Sequence, residues 1–193
     1  LVSIEQHVKN VAHNNMPAIE KITAITQLQL EQEILFEQAF RSALEVSLNL
    51  KSHEHFDQVT QRYLSLNEEV AHKIHQAGAV LGDTLQASDN PHSRAQLLDA
   101  EQQLKTIKKH HDIWDLHVQE VFQALSQQSL EHAEHLSVKV EQEALQLTQE
   151  VEGLLGSVEK LTEHSVIDIE HETQQLEWAT VIASAICVLI SLT

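Results

Sequence analysis

The C-terminal third of the chain carries one apolar stripe at helical spacing, and this stripe constrains the fold more than any other feature. Its members follow one another at steps of three or four residues: Leu136, Val140, Ala144, Leu147, Val151, Leu154, Val158 and Leu161. Steps of this kind lay a narrow apolar seam along one side of a helix that packs against other helices. The stripe therefore predicts a long helix that belongs to a helical bundle.

The predicted helix continues, with no Gly or Pro after Gly156, into a stretch without charge. Residues 179–193 contain no charged side chain, and Trp178 stands directly before them. Trp is enriched where a membrane meets water, but fifteen residues are fewer than the roughly 20 that a spanning helix needs. We expect residues 179–193 to be the start of a transmembrane helix that is truncated; a hydrophobic tail is the alternative. We also expect an earlier span before Leu1.

The composition favours long helices over sheets. Aromatic residues make up 4% of the 193 residues, and the chain has four Gly and two Pro, too few turn residues for many short strands. Apolar positions at helical spacing predict three earlier helices, at about residues 4–50, 55–86 and 93–125. Short connections between helices of this length make neighbours antiparallel. The predicted fold is all-α, an up-down-up-down antiparallel four-helix bundle whose fourth helix continues into the transmembrane segment.

Helix boundaries are marked by proline and by capping residues. Pro91 follows Asn90 in the clearest break of the sequence, and Ser129 is a suitable N-cap for the last helix. Pro17 leaves two alternatives open, because a proline either kinks a continuous helix or occupies the first position of a new one.

The charge balance argues against a nucleic-acid partner. The formal net charge is −17, whereas a surface that neutralises phosphates needs clustered Lys and Arg. Lys105, Lys108 and Lys109 form the densest basic cluster, but acidic residues surround them. We therefore interpret this cluster as a solvated helix face.

Three segments carry a resemblance to a known family. They are residues 16–19 (Met-Pro-Ala-Ile), residues 29–39 (Gln-Leu-Glu-Gln-Glu-Ile-Leu-Phe-Glu-Gln-Ala) and the approach to the uncharged run, from Leu161 to Glu177. In their order and character, the chain resembles the four-helix-bundle sensor domain of bacterial methyl-accepting chemotaxis proteins. The likeness extends over essentially the whole chain, although no invariant motif carries it.

This resemblance implies a location and a function. Residues 1–178 would be a periplasmic sensor domain and residues 179–193 the start of a transmembrane helix in the bacterial inner membrane. The domain would form a homodimer, bind a small ligand or a partner, and signal by displacement of its fourth helix. Two alternatives stay open: the bundle sensor of a histidine kinase or cyclic-dinucleotide enzyme, and a structural coiled-coil tether that binds no ligand.

The candidate ligand-binding residues are two arginines and three aromatic side chains. Arg41 and Arg62 each lie about ten residues from the expected turn at residues 51–53, so antiparallel packing would place them at one level. Guanidinium groups pair bidentately with carboxylates, and Phe36, Phe40 and Tyr63 belong to the same aromatic-rich half. We therefore expect these five residues to bind a small anionic ligand.

The alternative interpretation of these residues is structural. The aromatic side chains would then belong to the core, and each arginine would pair with a nearby acid, Glu37 or Glu45 in the case of Arg41. The family's own ligand-binding arginines do not transfer, because no matching motif is present.

Neither a metal site nor catalysis is predicted. The chain has fourteen His, but zinc needs three or four convergent ligands, and no motif enforces such a cluster among pairs such as His72 and His75. His111 falls on an apolar stripe, between Ile107 and Trp114, which favours a hydrogen-bonded core histidine. No catalytic triad, phosphate-binding loop or HExxH motif is present. We therefore expect a protein that is not an enzyme and that holds no cofactor.

Overall fold

The computed structural model describes residues 15–48, 53–88 and 90–191, with side chains described as far as Glu163. These residues form four helices and no strand: α1 (Met16–Ser47), α2 (His53–Ala87), α3 (Pro91–Ser126) and α4 (Leu130–Ser191). The predicted all-α class is confirmed, and the four helices together enclose one core. The part of the first predicted helix before Asn15 lies outside the described residues.

The core consists of the apolar stripes that the sequence predicts. Tyr63, Trp114 and Leu154 are 0% exposed. The apolar positions that predict α2 and α3 are buried as well: Phe56, Val59, Tyr63, Leu66, Val70, Ile74, Ala77 and Leu81 in α2, and Leu97, Leu104, Ile107, Trp114, Val118, Val121 and Leu125 in α3. The stripe of α4 is buried from Val140 to Leu161, while Leu136 packs at its edge. Helical periodicity was therefore sufficient to identify which face of each helix packs inward.

The connections between helices follow local chemistry. The side-chain oxygen of Asn90 accepts hydrogen bonds from the backbone N–H groups of His92 (2.9 Å) and Ser93 (3.4 Å), which caps α3 at Pro91. Between α3 and α4, Gln128 adopts a left-handed conformation with φ 57°, and α4 begins directly after Ser129. Pro17 lies in the first turn of α1. The alternative in which Pro17 kinks a continuous helix stays open, because it concerns residues 1–14, which lie outside the described residues.

The four helices do not pack equally closely. α1 packs mainly on α2, and α3 packs mainly on α4, whereas α1 and α4 contact each other less extensively. α2 and α3 contact each other about as little as α1 and α4 do, so the bundle consists of two close pairs, α1 with α2 and α3 with α4, that meet at two looser seams.

α4 is much longer than its neighbours, with 62 residues compared with 36 in α3. Within the described part of the chain, no helix combines the length and the apolar character that a membrane span requires. The predicted transmembrane segment, residues 179–193, lies beyond the last described side chain, and it stays a prediction.

Candidate ligand-binding groove

Two adjoining cavities lie in the seam between α1 and α4. Their volumes are about 580 Å³ and about 420 Å³, and Phe36, Glu37 and Glu141 line both of them. The cavities therefore form one continuous groove, which we call the α1–α4 groove. Each volume lies in or near the range of pockets that hold small molecules, roughly 300–1,000 Å³.

The larger cavity has an apolar surface. Ile34 and Leu145 line it and remain 55% and 62% exposed, while Phe36 and Trp114 line it from the core. Large apolar side chains of this exposure lie next to the buried rings because α1 and α4 carry a second apolar face beside their core stripes. This part of the groove can cover the apolar body of a ligand.

Carboxylates dominate the charge of the groove. Four glutamates line it, namely Glu33, Glu37, Glu134 and Glu141, and Arg41 is the single basic side chain in the lining of the two cavities. Arg41, Glu37, Glu134 and Glu141 are exposed, and none of the three glutamates forms an ion pair with a described residue. No ion pair joins Arg41 to Glu37 among the described residues, and the alternative in which Arg41 pairs with Glu45 stays open.

Glu33 occupies a more enclosed position at one end of the larger cavity. Oγ1 of Thr148 donates a hydrogen bond to its carboxylate at 3.4 Å, and Nε2 of Gln29 donates to Oγ1 of Thr148 at 3.2 Å. Burial raises the pKa of Glu33, against the opposing effect of these hydrogen bonds. These contacts join α1 to α4 and leave a half-buried carboxylate without a cationic partner among the described residues.

The predicted ligand-binding residues are only partly brought together. Phe36, Phe40 and Arg41 line the α1–α4 groove. Arg62 lies on α2 and forms an exposed ion pair with Glu31 of α1. Glu31 is ten residues from Arg41 along the same helix, about 15 Å at 1.5 Å per residue. Arg62 is not among the residues that line the α1–α4 groove, so the structure does not bring the two arginines together there.

Tyr63 belongs to the core. Its side chain is 0% exposed, and its ring centroid lies 6.1 Å from that of Trp114 and 5.1 Å from that of Phe122. Burial and the adjacent Asp115 carboxylate raise the pKa of the Tyr63 hydroxyl. Trp114, and not Tyr63, is the aromatic residue of α2 or α3 that lines the larger cavity.

A buried polar layer crosses the bundle beside the groove. Oε1 of Gln32 lies 3.2 Å from Nε2 of His111, and Nε2 of Gln32 donates to Oδ1 of Asn67 at 3.1 Å. We call Gln32, Asn67, His111 and the neighbouring Asp115 the polar layer. Burial lowers the pKa of His111 to about 4 and raises the pKa of Asp115. The prediction of a hydrogen-bonded core histidine is confirmed.

The sequence analysis did not identify Gln32 as a functional or core residue, although a signal was present. The buried positions of α1 continue at steps of three and four through Ile25, Gln29, Gln32 and Phe36. Two glutamines therefore occupy core positions of a heptad, which indicates polar contacts across the bundle.

Two further histidines of α3 pair with acidic residues of α4. Nδ1 of His110 lies 2.8 Å from both carboxylate oxygens of Glu150, and Nδ1 of His117 lies 2.7 Å from Glu143. Within the described residues, no group of three or more His, Cys, Asp or Glu side chains is arranged to hold a metal ion.

Comparisons with known proteins bear on the fold only. The sequence matches no known protein family and no curated protein. The structure is similar to that of a de novo designed two-domain di-Zn(II) and porphyrin-binding protein, with a TM-score of 0.54 and 17% sequence identity. The match covers 88% of this chain and 98% of the designed chain. At this identity the likeness supports a helical bundle and carries no functional information.

Proposed function

We propose that this chain is the ligand-binding sensor domain of a transmembrane chemoreceptor. The observation that carries the proposal is the α1–α4 groove, a ligand-sized opening between the first and last helices of the bundle. Three of the five residues that the sequence analysis selected, Phe36, Phe40 and Arg41, line it. No catalytic constellation accompanies it in the sequence, so we propose binding without chemistry.

The proposed bundle is antiparallel, with helices running up, down, up and down. The order of contacts between α3 and α4 supports this arrangement, since His110 meets Glu150 whereas the later residue His117 meets the earlier residue Glu143. Short connections between long helices support it as well.

Signal transmission would use the looser seam that contains the groove, between α1 and α4. A ligand in the groove would touch α1 and α4 together, and it would stabilise one of two packings of these helices over the other. Because α4 continues as a single helix to Ser191, a small displacement in the groove would be carried along its length. The proposed output is therefore a shift of α4 relative to α1.

The proposed setting is the bacterial inner membrane, with residues 1–178 in the periplasm and residues 179–193 at the start of a membrane span. The uncharged character of residues 179–193 supports this placement. A homodimer is part of the proposal, and the exposed face of α1 supports it. Large apolar side chains lie there in two pairs, each pair four residues apart and each side chain at least 44% exposed: Leu30 with Ile34, and Leu44 with Leu48. The first three also line the α1–α4 groove, so the proposed dimer contact borders the groove.

A thermal-shift screen with amines, amino acids and organic acids tests the proposal. A ligand present at 100 times its Kd raises the free energy of unfolding by about 2.7 kcal/mol. Leu145→Trp fills the groove and should abolish the shift, whereas Leu116→Trp, at a site on α3 that is also exposed (56%), should leave it unchanged. If no compound in the screen raises the melting temperature, the alternative of a structural coiled-coil tether would be favoured. The histidine kinase and cyclic-dinucleotide alternatives share this sensing step and differ only in their output modules.

A further inference from the structure

The charge of the α1–α4 groove favours one class of ligand. Glu37, Glu134 and Glu141 surround Arg41 in the smaller cavity, and Glu33 adds a fourth carboxylate in the larger one. The three exposed carboxylates have no ion-pair partner among the described residues. One guanidinium therefore faces an excess of negative charge, and an anion entering here would be repelled.

The apolar lining favours a ring or chain of moderate size. Ile34 and Leu145 offer exposed surface on the two sides of the larger cavity, while Phe36 and Trp114, which are 6% and 0% exposed, close it from the core. This surface therefore suits the apolar body of a ligand.

The partial burial of Glu33 strengthens the expectation of a cation. Its carboxylate is half-buried at the end of the larger cavity, where desolvation raises its pKa. A half-buried carboxylate gains more from a cationic neighbour than an exposed one does, because solvent screens the attraction less.

We propose that the α1–α4 groove binds an organic cation, a primary amine with an aromatic or apolar body, rather than the anion that Arg41 alone would indicate. The ammonium group lies among Glu33, Glu37 and Glu141, and the apolar body lies against Phe36 and Leu145. This inference rests on the proposed function, since it names the ligand class of the same groove.

The experiment is a calorimetric titration of the whole chain with three probes that differ only in the terminal group. They are 2-phenylethylamine, 3-phenylpropionate and 2-phenylethanol, at pH 7.5 and low salt. The amine should bind at least about tenfold more tightly than the carboxylate, with the alcohol between them. Added salt should weaken binding of the amine and leave binding of the alcohol unchanged.

Matched variants assign the effect to the groove. Glu37→Gln and Glu141→Gln should each weaken amine binding about three- to tenfold and leave the alcohol unchanged. Glu120→Gln removes a charge from an exposed position on α3 and should change neither the affinity for the amine nor the affinity for the alcohol. Leu145→Trp should abolish binding of the amine.

The outcomes separate this inference from the proposed function. Tighter binding of 3-phenylpropionate, lost in Arg41→Ala, would overturn the cation assignment and support the groove as an anion site. Equal binding of all three probes would also overturn the assignment, because charge would then play no part. Amine binding that survives in Leu145→Trp would place the site elsewhere. Silence of all three probes overturns the amine class, and silence of the wider thermal-shift screen overturns the proposed function itself.

Discussion

The polar layer and the α1–α4 groove lie side by side on α1, but their polar side chains differ in whether they have partners within the protein. In the polar layer, Gln32 is 0% exposed and its amide contacts both His111 and Asn67. In the groove, Glu37 and Glu141 lie beside a large cavity without an ion-pair partner among the described residues. Paired buried groups specify how helices pack, whereas unpaired charges beside a cavity are available to a ligand. We therefore assign structure to the first region and function to the second.

The largest change in the free energy of unfolding is expected at Tyr63, and it tests whether this residue belongs to the core or to the binding site. Tyr63→Ala should lower the free energy of unfolding by about 3–5 kcal/mol, because it removes a fully buried ring, and urea denaturation followed by circular dichroism measures this. Tyr63→Phe should cost less than about 1 kcal/mol, since among the described residues the hydroxyl has no hydrogen-bond partner of good geometry. A stable Tyr63→Ala variant with lost ligand binding would instead make Tyr63 a binding residue.

The polar layer should make stability depend on pH through His111. Its pKa falls from an ordinary 6.5 to about 4 in the folded protein, so the unfolded chain takes up the proton first as the pH falls. The stability that neutral His111 contributes is fully present above pH 6.5 and is lost between pH 6.5 and about 4. Between pH 7.5 and 5.0 the loss should be about 2 kcal/mol.

The check is urea denaturation at both pH values for the original protein and for His111→Gln, whose pH dependence should be smaller by that amount. Glu33 and Asp115 act in the opposite direction, because their pKa values are raised and protonation at low pH favours the folded state. An unchanged pH dependence in His111→Gln would contradict the burial of a neutral imidazole.

A smaller effect is expected from the glutamine that links the layer. Gln32→Ala should lower the free energy of unfolding by about 1–2 kcal/mol, because it leaves buried polar atoms of His111 and Asn67 without their partner. Gln38→Ala, at an exposed position of the same helix, should change it by less than about 0.5 kcal/mol. Equal effects of the two substitutions would show that the polar layer does not contribute to stability.

The smallest effect is expected in the groove itself. Glu141→Gln should change the free energy of unfolding by less than about 0.5 kcal/mol, with a gain at low salt, because it relieves repulsion between neighbouring carboxylates. Denaturation at low and high salt measures this gain, which should vanish at high salt. A loss above 1 kcal/mol would show that Glu141 has a structural partner, and it would weaken the contrast with the polar layer.

The sequence correctly predicted which face of each helix is buried, because this depends on periodicity within one helix. It did not predict contacts between helices, because these depend on how far one helix is shifted along another. The apolar stripes correctly placed Val70, Trp114 and Leu147 in the core, because helical spacing alone determines which face packs inward. The pairing of Arg62 with Glu31 could not be found in this way, because the spacing of residues within one helix does not determine which residues of a neighbouring helix face it. The acidic character of the groove was missed for a related reason. Glu134 and Glu141 lie about a hundred residues from Arg41 in the sequence, and only the packing of α4 on α1 brings them together.

The most direct test of the account is the distance between α1 and α4 with and without ligand. Double electron–electron resonance measures this distance between spin labels attached at the exposed positions Gln38 and Gln142, with Cys187 replaced by Ser. The ligand is 2-phenylethylamine, or another compound whose stabilisation Leu145→Trp abolishes. Saturation should shift the α1–α4 distance by about 1–2 Å and leave the α1–α2 distance between Gln38 and Gln61 unchanged. An α1–α4 distance that stays the same at saturation would contradict the role of α4 as the moving helix.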